Sequence, residues 1–440
     1  MLRKLTFFLL FCSLSATADV GGRLASPNGG LEAQFGLDDQ GAPWFQLLAD
    51  DVPLIRPSPL GISLHNTAFV DGLEVEAVSD SEAVTDRYRL WTGKRSPVEY
   101  HANRRTITLR NPDGHAVTIN FQLSNDGLAY RYEFPGTSED VRVVTAEHGG
   151  VHFFHGTRAW LQPKANAQTG WSNVNPSYEE DYLQDIPVGT PSPIESGWVY
   201  PALFRYGDTW LVVSETGMDG TFPGSNLAAE NPDGLYRIRY PQPNEVITNG
   251  KLLGEARLPF HTPWRLLLAG DLATIADSTL GTDLAEPNAL EEAGFIEPGI
   301  SAWSWGLLKD DFTIYPVQKD FVDYAADMNW PYVLVDADWD QKIGYEKIAE
   351  LAQYAAGKDV SLLLWYNSSG DWNETVYSPK SKLLTREGRR AEFERLQKMG
   401  IAGVKVDFFA GDGVSVIRYY MDILEDAADF GLVVNTHGST

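Results

Sequence analysis

The chain has 440 residues, of which 43% are hydrophobic, so it can bury large cores and exceeds one ordinary domain. Its net charge of −25 argues against nucleic acid as a partner, because the chain would repel a phosphate backbone. The only cysteine is Cys12, which excludes a disulfide framework and a thiolate metal site. Stability must therefore come from the burial of apolar side chains.

Residues 1–18 have the composition of a secretory signal peptide. Arg3 and Lys4 supply the positive start, residues 5–14 form an apolar stretch, and residues 16–18 form a small-residue cleavage site. The apolar stretch is shorter than the about 20 residues that span a bilayer. We expect the mature protein to be secreted, to lack Cys12 and to have no membrane span.

Residues 19–270 are predicted to form a β-sandwich domain. Apolar and polar residues alternate over 117–123 and again over 128–134, and the turn signal Ser124-Asn125-Asp126-Gly127 separates the two runs. Comparable turn signals recur along this half of the chain, and its sequence has no long helical pattern. Such a pattern is typical of a large sandwich of short strands.

Residues 271–298 are rich in Ala, Leu and Glu and predict a helical linker. Residues 299–440 then alternate strands with helices, which predicts a parallel sheet with right-handed crossovers. The expected strands are 299–305, 332–337, 361–366, 404–409 and 432–436. Two of the expected helices have apolar faces at helical spacing: Phe321, Tyr324, Ala325 and Met328 in 317–328, and Ile348, Leu351, Ala352 and Ala355 in 345–356.

An open doubly wound sheet and a (β/α)8 barrel both fit these five strands. The polar and aromatic residues at the strand ends favour the barrel, because a barrel builds its active site at the carboxyl ends of its strands. A complete barrel needs eight units, and residues 299–440 hold about five. We therefore expect an incomplete TIM-barrel catalytic domain after the sandwich.

The ends of the predicted strands carry carboxylates, a lysine, aromatic rings, amides and a histidine. The residues concerned are Trp303, Trp305, Asp336, Asp338, Trp339, Asn367, Lys405, Asp407, Asn435 and His437. Hydrogen-bonding groups suit sugar hydroxyls, flat rings suit the C–H faces of a sugar, and a carboxylate suits an anomeric carbon. Because no glycine-rich phosphate cradle follows these strands, the pattern favours a pyranose site over a sugar-phosphate site.

Asp407 is the most informative of these residues. It ends a buried strand two residues after Lys405, so the two side chains should point to the same side. A carboxylate kept ionised by a nearby cation suits a nucleophile, and a helix cap or a structural ion pair is the alternative. Asp336 and Asp338 either hold hydroxyls, bind a divalent cation or cap the next loop. His437 either binds a sugar hydroxyl or is a structural histidine of the barrel whose hydrogen bonds are satisfied.

Seven motifs in one order carry a resemblance to a known family. In the first half they are AWLQP at 159–163 and PSYEEDY at 176–182. In the second half they are SAWSW at 301–305, VDADW at 335–339, WYNSS at 365–369, VKVDFF at 404–409 and NTHG at 435–438. With these motifs the chain resembles glycoside hydrolase family 97 over essentially its whole mature length.

The resemblance implies a β-supersandwich followed by a TIM barrel, a calcium ion near the substrate and a mostly periplasmic enzyme that acts on α-linked sugars. Retaining members, which include α-galactosidases, carry an aspartate nucleophile at the end of the fourth strand, where Asp407 stands. Inverting α-glucosidases instead use a glutamate base on the third strand, where this chain has Asn367. Glu179, with Glu180 as the alternative, is the expected calcium ligand from the sandwich. The remaining ligands and the glutamate acid/base are expected beyond residue 440.

The expected function is therefore an exo-acting retaining α-glycoside hydrolase with a covalent intermediate on Asp407. An α-galactoside or an oligosaccharide is the expected substrate, and α-galactosidase is the expected specificity. Two alternatives stay open. One is an inverting α-glucosidase of the same family, and the other is a noncatalytic glycan-binding protein of the cell envelope, in which Trp303, Trp305 and the aspartates only hold glycans.

Overall fold

The computed structural model describes residues 21–290 and 293–439; the expected signal peptide lies outside them. Within these ranges no helix is both long and apolar enough to cross a membrane.

The first half of the chain is made of short strands joined by turns. Strands β1 to β21 are, in chain order, Gly22–Ala25, Leu31–Leu37, Pro43–Ala49, Val52–Pro53, Ser58–Pro59, Ile62–Leu64, Thr67–Phe69, Glu74–Val78, Glu82–Tyr88, Val98–Arg110, Ala116–Ser124, Gly127–Glu147, Gly150–His152, Arg158–Leu161, Leu183–Pro187, Ala202–Tyr206, Thr209–Thr216, Asn226–Leu227, Leu235–Arg239, Glu255–His261 and Trp264–Gly270.

These strands pair antiparallel in sheets of 13, five and three strands, so the predicted β-rich first half is confirmed. The predicted hairpin joins β11 to β12, with Leu123 opposite Leu128 across a turn at 125–126. Alternate side chains of β11 and β12 point into the main apolar core of the sandwich. Phe35 stacks on Phe121 within it, with ring centroids 4.3 Å apart. This core fixes the frame from which the loops of the domain extend.

The segment predicted as a helical linker is only partly helical. Helix α1 is Leu272–Asp277 and helix α2 is Leu280–Asp283, and the described residues after them have irregular backbone up to residue 300. Asp271 begins α1 because its side chain accepts a hydrogen bond from the Thr274 N–H at 2.7 Å. Pro287 and Pro298 lie in the irregular part, where proline disfavours helix.

The second half alternates strands and helices. Its strands are β22 (Ser301–Trp303), β23 (Tyr332–Val335), β24 (Ser361–Asn367), β25 (Gly403–Asp407) and β26 (Val433–Thr436). Its α-helices are α3 (Trp305–Leu308), α4 (Tyr315–Asp327), α5 (Trp339–Lys342), α6 (Tyr345–Ala356), α7 (Arg386–Lys398) and α8 (Val414–Asp429). Short 3₁₀ turns occur at Trp171–Asn173, Pro232–Gly234 and Asp310–Phe312.

The five strands pair in chain order, and all four pairings are parallel. A doubly wound sheet reverses its strand order at a switch point, and this sheet has no reversal. The order is that of consecutive strands in a (β/α)8 barrel. Strand β23 is buried along its whole length, as expected for a parallel strand covered on both faces. The structure therefore holds about five units of the predicted barrel.

A buried ion cluster connects the two halves of the molecule. Lys164 of the sandwich is fully buried, and its Nζ lies 2.8 Å from Glu245 and 2.9 Å from Asp412. Asp412 belongs to the loop between β25 and α8, and the N–H of Gly413 donates to the Glu245 carbonyl at 3.0 Å. The sandwich therefore holds the loop that follows β25.

Candidate active site

A cavity of about 430 Å³ lies at the carboxyl ends of the barrel strands, beside a loop of the sandwich. Seven of the predicted residues line it, together with ten others. The lining residues are Trp171, Val174, Asn175, Ser177, Glu179, Trp303, Trp305, Asp310, Asp336, Ala337, Trp365, Tyr377, Lys405, Asp407, Phe408, His437 and Gly438. The cavity is therefore built by both domains.

The carboxylate of Asp407, the last residue of β25, is held deep in this cavity. Oδ1 accepts hydrogen bonds from Nδ1 of His437 at 3.0 Å and from the N–H of Phe408 at 2.8 Å. Oδ2 accepts a hydrogen bond from Nε1 of Trp365 at 3.0 Å and lies 3.6 Å from Nζ of Lys405. The predicted proximity of Lys405 and Asp407 is confirmed, and the carboxylate is fixed from three directions.

The surroundings of Asp407 favour its ionised form. Burial acts to raise the pKa of this carboxyl, but the hydrogen bond from His437 and the positive charge of Lys405 outweigh burial and lower it below its ordinary value. The same hydrogen bond raises the pKa of His437, which favours a ring that donates to Asp407. The site can therefore present an ionised carboxylate at neutral pH.

Asp336, which follows β23, lies on the other side of Lys405. Its carboxylate accepts hydrogen bonds from Nε1 of Trp303 and from the Ala337 N–H, and its Oδ2 lies 3.9 Å from the Lys405 Nζ. Burial raises the pKa of Asp336, and the charge of Lys405 opposes that rise only in part. The two carboxyls beside Lys405 therefore have pKa values shifted in opposite directions, an arrangement common in catalytic sites.

Aromatic rings form the walls of the cavity. Trp303 and Trp305 stack with their centroids 5.1 Å apart, and the Lys405 ammonium lies 4.5 Å from the centre of the Trp303 ring. Asp310 accepts hydrogen bonds from Nε1 of Trp305 at 2.7 Å and from the Tyr377 hydroxyl at 2.9 Å. These bonds fix the ring planes, and flat rings can stack on the C–H face of a sugar.

The sandwich contributes the segment 171–179 to the cavity. Glu179 is exposed, and its Oε1 lies 3.5 Å from Nε2 of His437, so one histidine contacts both Asp407 and the sandwich. The backbone of this segment is tightly turned, with Ser172, Asn173 and Tyr178 at φ values of 48°, 56° and 58°. Non-glycine residues rarely adopt such values, and they cluster at functional sites.

Two of the predicted substrate contacts hold the loops around the cavity and do not line it. Asp338 adopts a left-handed conformation with φ 66°, which turns it away from the face of Asp336. Its carboxylate accepts a hydrogen bond from the Ser378 N–H at 3.0 Å. Asn367 is buried and donates to the Thr375 hydroxyl at 2.7 Å while accepting from the Ser369 N–H at 3.0 Å. Both side chains stabilise the loop that follows β24.

Two further predicted contacts also lie outside the cavity lining. Trp339 is fully buried, donates to the carbonyl of Trp365 at 2.8 Å and packs edge-on against Tyr345. It belongs to the core, because α5 turns its ring back onto the sheet. Asn435 is exposed on β26 and lines a separate concavity with Tyr332 and other residues. Its register partner on β25 is Lys405, one layer below Asp407.

Several cavity residues were not among the predicted contacts. Trp365 and Phe408 lie within the motifs 365–369 and 404–409, where a closer comparison of strand-end residues could have identified them. Trp171, Asp310 and Tyr377 lie on loops, and no periodic pattern indicates which loop residues reach a cavity. Of these three, only Trp171 comes from the sandwich, so its place in the cavity depends on how the two domains dock.

The described residues fit a calcium ion only in part. Calcium takes about six to eight oxygen ligands, and among residues 21–290 and 293–439 no group of three or more histidine, cysteine, aspartate or glutamate side chains is arranged to hold a metal. Glu179 offers one exposed carboxylate at the cavity, beside His437, and Glu180 does not line the cavity. Further ligands would be backbone or amide oxygens, water, or groups outside the described residues.

Two family models match the chain. The glycosyl-hydrolase 97 N-terminal model matches residues 24–287, and the glycoside hydrolase 97 model matches residues 305–440. Their boundary falls between the two halves seen in the structure, and together the two models cover most of the chain.

The chain is similar to known proteins, of which three are described. A probable retaining α-galactosidase of Streptomyces bingchenggensis is 29% identical over 94% of the chain, which spans 61% of that protein's length. A retaining α-galactosidase of Bacteroides thetaiotaomicron is 24% identical over the whole chain, which spans 68% of its length. A crystal structure of a β-arabinopyranosidase superposes with a TM-score of 0.91 and 34% identity, covering 95% of this chain and 67% of the other.

Proposed function

This chain belongs to glycoside hydrolase family 97, and we propose that it carries the nucleophile, Asp407, of an exo-acting retaining α-glycoside hydrolase. The observation that carries the proposal is the environment of Asp407. A buried carboxylate that accepts three hydrogen bonds beside Lys405, in a cavity lined by polar groups and rings, suits attack on an anomeric carbon.

The proposed reaction has two displacements. Oδ2 of Asp407, which accepts one hydrogen bond where Oδ1 accepts two, attacks the anomeric carbon as the glycosidic C–O bond breaks. The departing oxygen takes a proton from a carboxylic acid, and the sugar becomes an ester of Asp407. Water then attacks the same carbon, giving up a proton to the conjugate base of that acid and releasing the carboxylate. The resemblance to the family implies a glutamate in the role of this acid/base.

The inverting alternative is less well supported. An inverting enzyme needs a carboxylate base that activates water, and the expected position of that base holds Asn367. An amide cannot accept the proton, and the Asn367 side chain is buried in hydrogen bonds to the following loop. A covalent adduct formed on Asp407 by an activated, fluorinated α-galactoside, located by peptide mass spectrometry, would exclude both the inverting enzyme and the noncatalytic glycan-binding protein.

The proposed substrate is an α-galactoside, as the names of the two curated relatives suggest. The similarity to a β-arabinopyranosidase favours a second candidate. A β-L-arabinopyranoside has the ring configuration of an α-D-galactopyranoside and lacks only its hydroxymethyl group, so the same nucleophile could serve both. Comparing kcat/KM for the 4-nitrophenyl glycosides of the two sugars tests the choice: a higher value for the galactoside supports the first candidate, and a higher value for the arabinoside supports the second.

We also propose calcium binding at Glu179 and export to the periplasm. Glu179 presents a carboxylate to the cavity, and the ion would supply positive charge beside the bound sugar. The composition of residues 1–18 supports export with removal of a signal peptide. N-terminal sequencing of the protein from a periplasmic fraction should give a chain that begins at Asp19; a chain that begins at Met1 in the cytoplasmic fraction would contradict export.

A further inference from the structure

Trp171 lies at the opening of the cavity and is 58% exposed. An exposed tryptophan leaves a large apolar surface in water, which is unfavourable unless something covers it. The ring is not isolated, because its centroid lies 5.8 Å from that of Tyr377 and 6.2 Å from that of Phe408. Its position at the rim of the cavity indicates a contact with part of the substrate.

The backbone around Trp171 is held in place. The N–H of Asn175 donates to the Thr169 carbonyl at 3.2 Å, and the N–H of Glu374 in the barrel donates to the Ser172 carbonyl at 2.9 Å. A side chain added at Gly170 would meet the amide of Asn175 at 2.5 Å. The loop therefore holds the tryptophan at a defined position, and little conformational entropy remains to be lost when a ligand stacks on it.

Aromatic residues connect Trp171 to the proposed nucleophile. Trp365 is buried and donates to Asp407, Phe408 and Tyr377 are half-buried, and Trp171 is exposed. The centroids of Trp365 and Phe408 are 5.7 Å apart. Exposure therefore increases from the carboxylate toward the opening, along one wall of the cavity.

Charged groups lie at both ends of the cavity, and the side chains of Glu179 and His437 are exposed at its rim. Asp336, Lys405 and Asp407 are all buried at the inner end, where they can hydrogen-bond the hydroxyls of the sugar being cleaved. The wall toward Trp171 offers rings. A glycoside whose sugar occupies the inner end extends its leaving group outward, and the aromatic wall from Trp365 past Phe408 to Trp171 is one route to solvent.

We infer that Trp171, supplied by the sandwich, is the stacking platform for the leaving group of the substrate. The inference rests on the proposed function, since it takes Asp407 as the point of attack. The leaving group that fits has a flat apolar face, either the C–H face of a second sugar ring or an aryl group. A small leaving group such as methanol would gain nothing from this contact.

The test compares leaving groups in Trp171→Ala and in wild-type full-length enzyme. We expect kcat/KM to fall up to roughly tenfold for an α-galactosyl disaccharide and for an aryl α-galactoside, the size of one aromatic contact. It should fall less than about twofold for methyl α-galactoside. Trp171→Phe should retain most of the activity. Trp91→Ala is the matched control, because Trp91 is 50% exposed and does not line the cavity.

Binding gives a second readout that does not depend on turnover. Calorimetry on Asp407→Asn, with and without Trp171→Ala, should show weaker binding of the disaccharide and unchanged binding of galactose. Equal losses for both ligands, or for the methyl and aryl glycosides, would overturn the inference and leave the role of Asp407 intact. If only the aryl glycoside is affected, the platform serves aryl leaving groups; if only the disaccharide is affected, it serves a sugar. A wild type that cleaves no glycoside would refute the proposed function, whereas the binding comparison would still decide the role of Trp171.

Discussion

At the scale of single residues, the charge of Lys405 affects the pKa values of two neighbouring carboxyl groups. Its Nζ lies 3.6 Å from Asp407 and 3.9 Å from Asp336, and its charge opposes the effect of burial at both carboxyls: the pKa of Asp407 is lowered overall, whereas that of Asp336 is still raised. The balance differs because Asp407 also accepts a hydrogen bond from His437. Activity that needs ionised Asp407 is present above its lowered pKa and is lost as the pH falls through it.

We therefore predict that Lys405→Met moves the acid limb of kcat/KM to higher pH. Without the ammonium group, burial is opposed less, so the pKa of Asp407 rises. The measurement is the pH profile of kcat/KM on an activated aryl α-galactoside. The readout is the pH at which the acid limb lies, and the absolute rate is not used. Lys398→Met, a change on the surface of α7, should leave the profile unchanged. An acid limb that stays in place in Lys405→Met would show that the charge of Lys405 does not control Asp407.

Glu179 and Glu180 provide a matched pair for the calcium proposal. We predict that Glu179→Gln lowers calcium affinity and, with it, activity, because one charged oxygen ligand is replaced by a neutral one. Excess calcium should restore part of the activity. Glu180→Gln should behave as wild type, since Glu180 does not line the cavity. Calcium titration by calorimetry, with turnover measured in parallel, checks this; if both are unchanged in Glu179→Gln, Glu179 is a surface residue.

At the scale of secondary-structure elements, sequence periodicity predicted the buried face of α6 correctly and that of α4 only in part. In α6 the predicted inward residues, including Ile348 and Leu351, are all buried. In α4 the predicted residues Tyr324 and Met328 are half exposed, and Gln318 and Val322 are buried instead. Gln318 escaped prediction because it is polar; it is satisfied by hydrogen bonds to Ser304 and to the Phe312 carbonyl.

The alternation of side chains holds only within a regular strand, and this explains which strand-end positions were predicted correctly. Lys405 and Asp407 alternate regularly along β25, so their shared face was predictable. Asp336 and Asp338 have the same spacing, but β23 ends at Val335 and the rule of alternating sides no longer applies to them. Asn367 was predictable as a strand-end amide, whereas its partners, Thr375 and Ser369, are set by a loop fold that has no periodic signature.

We predict that Asn367→Ala destabilises the protein by about 1–3 kcal/mol, because it leaves the buried partners of the amide unsatisfied. It should also raise KM, since the loop that it holds carries Tyr377 into the cavity. Asn66→Ala is the control, because Asn66 is exposed in a turn of the sandwich and does not line the cavity, and it should change stability by less than about 0.5 kcal/mol. Urea unfolding and steady-state kinetics measure the two effects. Equal, small effects from both changes would refute a structural role for Asn367.

At the scale of the whole molecule, the site depends on the docking of two domains. The segment with Trp171 and Glu179 comes from the sandwich, and Asp407 comes from the barrel. The cluster of Lys164, Glu245 and Asp412 holds the loop after β25 against the sandwich. This arrangement was not predictable from the sequence, because a lysine fully buried between domains is recognised only when its two carboxylate partners, far apart along the chain, are brought together.

We predict that Lys164→Met destabilises the protein by about 3–5 kcal/mol, because removing one partner of a buried ion cluster leaves uncompensated charge. Lys251→Met, which removes an exposed pair with Glu255, should cost less than about 1 kcal/mol. Urea unfolding of the full-length protein gives both values. If Lys164→Met unfolds at the same urea concentration as wild type, the cluster does not stabilise the docked domains.

The most direct test of the central claim is the configuration of the released sugar. Attack by Asp407 followed by attack of water inverts the anomeric carbon twice, so proton NMR should show that wild-type enzyme releases the α-sugar first from an aryl α-galactoside. Asp407→Gly should lose nearly all activity, and azide, which can enter the space left by the carboxylate, should partly restore it and give the β-galactosyl azide. Release of the β-sugar first by the wild type would contradict the retaining mechanism, and absence of azide rescue would contradict the role of Asp407 as nucleophile.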